Sequence, residues 1–549
     1  MIDEGQLFNK RLWELSVLRL NQLDYFDKIE ADKAAEIKRN SKEGTVDINL
    51  KLKEKGKQSI GLQGGVSGLA GSFIGLTYQT NNFLGLGETL TFSAQFGDLS
   101  RSFLFGFTEP YLFDRPISSG FTIFSSRYKF DQARQAALFT GQAVSVNPQF
   151  IQNYNQDSTG FTVFASYPVR KLSFTRFALN YGLTRTNITA FNDASKLLFT
   201  QVQFRSIAGP SALNGIVSST ITPTISYNTV NNPVNPTGGK SYFYSLAFSG
   251  IGGNVKSVTN VFDWKYYHPV NKRRNVLGFH ASGAFTTGYG GGEPPPYSRF
   301  YMGGESDIRG FDIRSITPVT FIPVASAQQF TYTCNTCFNG FGGPTSRIIS
   351  IPVLGYTITF PGGDTQGYGN VEYRIPIVGN TVQAVLFFDG GTNGILRKNA
   401  LQLDKTGFTN LTTQFPNVQQ DVGLTRQLGI SPGTNFRLRG STGIEFVVQL
   451  PIIQAPFRVY YAYNVHPLHS QLLAPPDYIE PGLICDPSSN SGMPACPKGV
   501  QLGYYPANLP PDVWTNQVRP MLQQLLNNPG RLNYFEPART FRFTVSRTF

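Results

Sequence analysis

The chain has 549 residues and a formal net charge of +13, from 47 basic and 34 acidic side chains, yet only 15% of its residues are charged. Its 56 glycines, 45 phenylalanines and 26 tyrosines fit a β-protein with aromatic surface bands better than a soluble enzyme. No run of roughly 18 apolar residues occurs, which excludes a transmembrane helix and leaves alternating strands as the way to cross a bilayer.

A globular chain of this length would hold several compact domains, but repetitive β architectures run on as one unit. Excess positive charge attracts nucleic acid, anionic headgroups or acidic clients. Here the basic residues are scattered, apart from Lys272, Arg273 and Arg274, in the manner of a solvated surface, and no nucleic-acid partner is expected.

Residues 1–55 differ from all that follows. "LFNKRLWELSVLRLNQLDYF" sets Leu12, Leu15, Leu18 and Leu20 on a helical stripe. Two short strands should follow, one near Asp27–Ala31 and one in "TVDINLKLKEK", where Val46, Ile48, Leu50 and Leu52 alternate with polar residues. This is a partial α/β module. With no secretory signal ahead of it, the sequence reads as a trimmed piece of a longer precursor.

From Gln58 the hydrophobic period becomes two and stays two. Segments such as "ETLTFSAQFGD", "STGFTVFASYPV", "KSYFYSLAFSG" and "TVQAVLFFDGG" are separated by turn residues. With strands near 58–66, 72–79 and 213–228 they number about sixteen, an even count that lets an antiparallel sheet close and lose its edges. The fold class expected is therefore all-β: a 16-stranded antiparallel transmembrane β-barrel over 56–549, preceded by the partial α/β module. Tight connections ("LFDRP", "PVRKL", "PVNKRRN") should face the periplasm. Long ones near 131–156, 289–365, 393–436 and 466–538 should face outside, the last containing a short helix in "VWTNQVRPMLQQLLNN".

The four cysteines form two local pairs, Cys334 with Cys337 and Cys485 with Cys496, each in a Pro, Gly, Asn and Ser-rich segment. Zinc would take all four, but the second spacing is not that of a zinc knuckle and no histidine accompanies either pair. Two disulfides in an oxidising compartment are expected, with no metal and no cofactor. "GISPG" places Ser431 in a Gly-x-Ser-x-Gly match that lacks a helix behind it, so a nucleophile elbow is rejected. His466 and His469, three apart beside a proline, read as loop histidines, and no phosphate-cradling motif is present.

Two stretches resist bland readings. In the terminal "TFRFTVSRTF", Phe541, Phe543, Val545, Arg547 and Phe549 share one face of a strand, as an outer-membrane girdle needs. In "RFYMGGESDIRGF", Arg309 sits among Gly303, Gly304 and Gly310. Either it is an exposed loop charge, or the glycines let the loop fold into the lumen, where Arg309 would bridge Glu372 of "GNVEYRIP" and Asp389 of "LFFDGG" through its planar fork.

The second stretch resembles the sixth-loop motif, Val/Ile-Arg-Gly-Phe/Tyr, of the outer-membrane barrel assembly protein family, BamA. "VEY", "FFDGG" and "FRFTVSRTF" are similar to that family's twelfth, thirteenth and sixteenth strands, and residues 1–55 look like the back half of its last POTRA domain. The resemblance implies a lumen salt-bridge motif of Arg309, Gly310 and Phe311 with Glu372 and Asp389. It implies a protein of the bacterial outer membrane, not an enzyme, that folds and inserts other β-barrel proteins. Its partners would be unfolded outer-membrane clients, outer-membrane lipid, and accessory assembly subunits docked on further POTRA domains. The mechanism would lie in a labile seam between the first strand, rich in Gly61, Gly64, Gly65 and Gly68, and the last, with Phe541, Phe543, Val545 and Phe549. An opened seam templates a client strand by β-augmentation. A two-partner-type secretion transporter and, further off, a passive porin remain open at this stage.

Overall fold

The computed structural model describes residues 5–23, 26, 29–30, 35–40, 44–53, 58–67, 71–83, 87–131, 152–202, 213–232, 235–271, 275–338, 344–379, 381–449, 456–480, 516, 520, 524 and 531–545. Gly68, Phe549, Cys485, Cys496, the Lys272–Arg274 cluster and nearly all of "VWTNQVRPMLQQLLNN" lie outside these.

At the N-terminal end, helix α1 (Lys10–Leu23) buries Trp13 and Val17 against Ile29, with Ile48 and Leu50 packed on the same cluster. Strands β1 (Ala35–Asn40) and β2 (Thr45–Leu50) pair antiparallel. The first strand thus begins later than the expected Asp27–Ala31. The Asn21 side chain takes both backbone groups of Ile29, accepting its N–H at 2.8 Å and donating to its carbonyl at 2.9 Å, so no sheet partner is needed there.

Sixteen strands then form one antiparallel sheet. In chain order these are β3 (Gln58–Ser67), β4 (Gly71–Phe83), β5 (Glu88–Gly97), β6 (Ser100–Glu109), β7 (Ser118–Asp131), β8 (Asn153–Pro168), β9 (Thr175–Ala190), β10 (Ile216–Asn228), β11 (Gly239–Gly253), β12 (Ser257–Pro269) and β13 (Val276–Gly288). The chain then makes a separate hairpin, β14 (Thr320–Phe338) with β15 (Pro344–Thr359), before β16 (Thr365–Val378), β17 (Val382–Gly394), β18 (Arg439–Gln449) and β19 (Pro456–Asn464). A second separate pair, β20 (His469–Leu473) with β21 (Arg531–Phe535), precedes the last strand, β22 (Arg539–Val545).

Every sheet strand pairs with its predecessor in this order, and each coincides with an alternating segment of the sequence. The alternation sorts faces as lipid demands: Phe121 and Ile123 of β7 and Phe541 and Phe543 of β22 are exposed, while Arg542 and Thr544 are buried. The even strand count predicts closure, and here the structure differs. β3 and β22 approach within 8 Å between Cα atoms, but no ladder joins them among the described residues. One feature accounts for this: β3 carries Gly61, Gly64 and Gly65, which offer no side chains to pack across the gap.

The long connections build a cap at one end of the sheet. Helices α2 (Asp193–Thr200), α3 (Lys405–Gln414) and α4 (Val418–Asp421) enclose an apolar cluster in which Leu198, Ile322, Leu354, Leu403, Phe415 and Tyr478 meet. Asn192 caps α2 through the Ser195 N–H, and Asp404 caps α3 through those of Thr406 and Gly407. The base of the β14–β15 hairpin is held in a neighbouring cluster, Phe321 and Ile358 against Leu472 and Ala474.

Candidate functional site

Residues 289–319, between β13 and β14, do not join the cap but fold back against the inner wall of the sheet. Gly303 and Gly304 make this possible at φ +108° and +112°, and a Cβ on Gly303 would collide with the Asp312 carbonyl. Backbone bridges from Phe300 to Gly363 and from Met302 to Ile316 fix the loop's base. Met302, Ile308, Phe311 and Ile316 pack together, Phe311 with no exposed surface.

This packing delivers Arg309, 1% exposed, to the middle of β16, β17 and β18. Its Nε donates to Asp389 Oδ2 at 2.7 Å and its Nη2 to Asp389 Oδ1 at 2.8 Å, and its backbone N–H reaches Oδ2 at 3.0 Å. Nη1 lies 2.9 Å from Glu372 Oε1 and 2.7 Å from Glu445 Oε2. The guanidinium also stacks on Phe387, 3.9 Å from the ring centroid. The predicted trio of Arg309, Glu372 and Asp389 is therefore brought together, and Gly310 and Phe311 serve the same loop.

Charge balance is completed by residues not singled out from sequence. Arg374 pairs with Glu372 at 2.7 Å and Arg458 with Glu445 at 3.5 Å, so three guanidiniums face three carboxylates. Asn370 donates to Asp389 Oδ1 at 2.9 Å and to the Asp307 carbonyl at 2.7 Å. Glu445 was findable. It occupies the inward parity of "GIEFVV", where an acidic side chain in an apolar strand needs a cation.

A second arginine anchors the loop to the opposite stretch of wall. Arg314, at φ +58°, lies over Tyr128, Phe130 and Tyr301 at 5.2, 4.9 and 5.0 Å, and donates to the Tyr154 hydroxyl at 3.4 Å. The sequence does hold a signal for it, since Asp-Ile-Arg occurs twice in "DIRGFDIR". A third set of contacts runs to the end of the chain: Thr540 and Asn464 both donate to the Gly310 carbonyl, and Arg542 reaches the Phe311 carbonyl and Asp312.

The other candidates stand elsewhere. Gly61, Gly64 and Gly65 lie on β3, and Phe541, Phe543 and Val545 on β22, the two terminal strands of the sheet. Ser431 sits in a turn, where its N–H bonds the Val319 carbonyl and its own carbonyl accepts from Thr434. His469 bonds the Glu536 carbonyl through Nε2 at 2.8 Å. Cys334 and Cys337 are on β14, with no side-chain placement described.

Comparison with known proteins gives consistent results. The Omp85 superfamily domain matches residues 82–471. The outer membrane protein assembly factor BamA of Nitratidesulfovibrio vulgaris is 24% identical over 326 residues, 58% of this chain and 36% of that protein. That of Neorickettsia risticii is 23% identical over 319 residues, 58% of this chain and 38% of that protein. The match thus spans under two-fifths of either relative. Among solved structures, BamA from Haemophilus ducreyi lacking POTRA domains 1-3 shares the fold with a TM-score of 0.51 and 21% identity, covering 85% of this chain and 77% of that one.

Proposed function

This chain belongs to the Omp85 superfamily and is a β-barrel protein of the bacterial outer membrane, and on that premise we propose that it folds other β-barrel proteins and inserts them into that membrane. The observation that carries the reading is the pair of unjoined strands. Fourteen intervening strands have hydrogen-bonded neighbours on both sides, whereas β3 and β22 each have one among the described residues. An edge facing a second edge across a narrow gap accepts an incoming strand by backbone pairing, which asks for no particular client sequence. The Arg309 cluster supports the same role by holding the loop against the wall beside the gap. On this reading, clients are unfolded outer-membrane proteins, and the α1–β1–β2 module is the back half of a POTRA domain whose preceding domains dock accessory subunits.

The test is a covalent lock. Cysteines placed at Gly64 and Val545, or their register neighbours, join β3 to β22 where geometry permits. The locked protein should remain folded in the membrane and cease to insert client barrels, with activity returning on reduction. A secretion transporter or a porin would continue to work through its lumen when locked. Client insertion at the unlocked rate would refute the proposal.

A further inference from the structure

β22 has a ladder partner on one edge only: its seven residues, Arg539 to Val545, pair with β19, and no strand pairs with its other edge among the described residues. Its lumen face carries contacts of a different kind. Thr540 Oγ1 donates to the Gly310 carbonyl at 2.7 Å, and Asn464 of β19 donates to the same oxygen at 3.0 Å. Arg542, 2% exposed, donates through Nη1 to the Phe311 carbonyl at 3.0 Å and ion-pairs with Asp312 through Nη2. Gly310, at φ +90°, is what lets the loop come so close, because a Cβ there would collide with Asn464 Oδ1 and the Ala462 side chain.

These contacts begin one residue beyond Arg309. We propose that Thr540 and Arg542 are positioning residues that make the 289–319 loop the inner partner of β22, so that the Arg309 cluster and the free edge of the last strand form one coupled unit. While Arg309 is seated on β16, β17 and β18, three consecutive loop residues hold β22 against β19. When the loop withdraws, β22 loses the carbonyls of Gly310 and Phe311 and the carboxylate of Asp312 together. Arg542 then gives up its carbonyl acceptor and its carboxylate partner in the loop, and β22 is left with its ladder to β19. The strand therefore loosens as a unit. This goes beyond the proposed assembly role, since it concerns contacts within one chain and is measurable without any client.

The experiment is a double-mutant cycle read by amide hydrogen exchange on the purified full chain in lipid nanodiscs. Arg309→Ala should speed exchange across Arg539–Val545 by roughly tenfold, although the Arg309 side chain bonds to β16, β17 and β18 and not to β22. Arg542→Gln should do the same, and the double variant should exchange no faster than the quicker single variant. Peptides from β9 and β10 serve as the control and should be unchanged. Wild-type exchange in β22 of Arg309→Ala, additive effects in the double variant, or a rise shared by β9 and β10 would each overturn the coupling. If Arg542→Gln fails to fold, judged by loss of its heat-dependent shift on a denaturing gel, Thr540→Val takes its place in the cycle. That variant removes one hydrogen bond and no charge, and the same outcomes decide.

Discussion

Arg309 is a buried cation whose guanidinium is shared among three carboxylates, so its removal exposes the neighbours' charges to one another and to the low-dielectric wall. Arg309→Ala should destabilise docking of the loop by about 3–5 kcal/mol, the cost of breaking a buried pair from one side. Limited proteolysis of the 312–365 segment measures this, and cleavage should rise in the variant and stay at the wild-type level in Arg101→Ala, an exposed control on the outward face of β6. Arg309→Lys should fall between the two, because a single ammonium cannot make the bidentate contact to Asp389 and still reach Glu372 and Glu445. Asp389 and Glu372 were legible in the sequence as acids at inward parity on the strands after the loop. Arg374, Arg458 and Asn370 were not, because polar side chains at inward positions are ordinary in a wet lumen and only the fold shows which of them converge.

At the scale of elements, period-two alternation located all sixteen sheet strands, because each has one face in lipid and one in the lumen. The same signal passed over β14 and β15, although these are 19 and 16 residues long. A hairpin that stands apart from the main sheet need not be apolar along the whole of either face, so the sequence there reads as a loop. The backbone ladder of this hairpin runs from Thr320 with Thr359 to Cys334 with Thr345, then breaks and resumes at Phe338 with Pro344. The Cys-x-x-Cys spacing thus spans the register break near the tip. We expect a Cys334–Cys337 disulfide to close that break, and a second, Cys485–Cys496, to close its own loop. Peptide mapping without reductant, on protein matured in an oxidising compartment, should recover both as local links. Stoichiometric zinc, or a peptide joining the two segments, would refute the assignment.

Taken whole, the molecule is a sheet whose interior is tied across by one loop: Arg309 on β16 to β18, Arg314 on β7 and β8, and Gly310 to Asp312 on β19 and β22. The number of strands and their order followed from patterning alone. The gap between β3 and β22 among the described residues was legible only as a weak seam, from Gly61, Gly64 and Gly65 on the first strand, since the even strand count by itself predicts closure. The cap was illegible for a different reason: Leu198, Ile322, Leu403 and Tyr478 come from four separate connections, and no local pattern marks them as neighbours. That origin dictates an order of events. Contacts so distant along the chain carry a large loop-closure entropy until the sheet has gathered its connections at one end, so the cap must be the last part to form. Refolding into detergent and sampling by pulse proteolysis should show the sheet strands protected while the segments around α2, α3 and Tyr478 are still cut. For a newly made copy of the chain, the long-loop end would then stay open until the walls beneath it stand, and its connections would be packed away only afterwards.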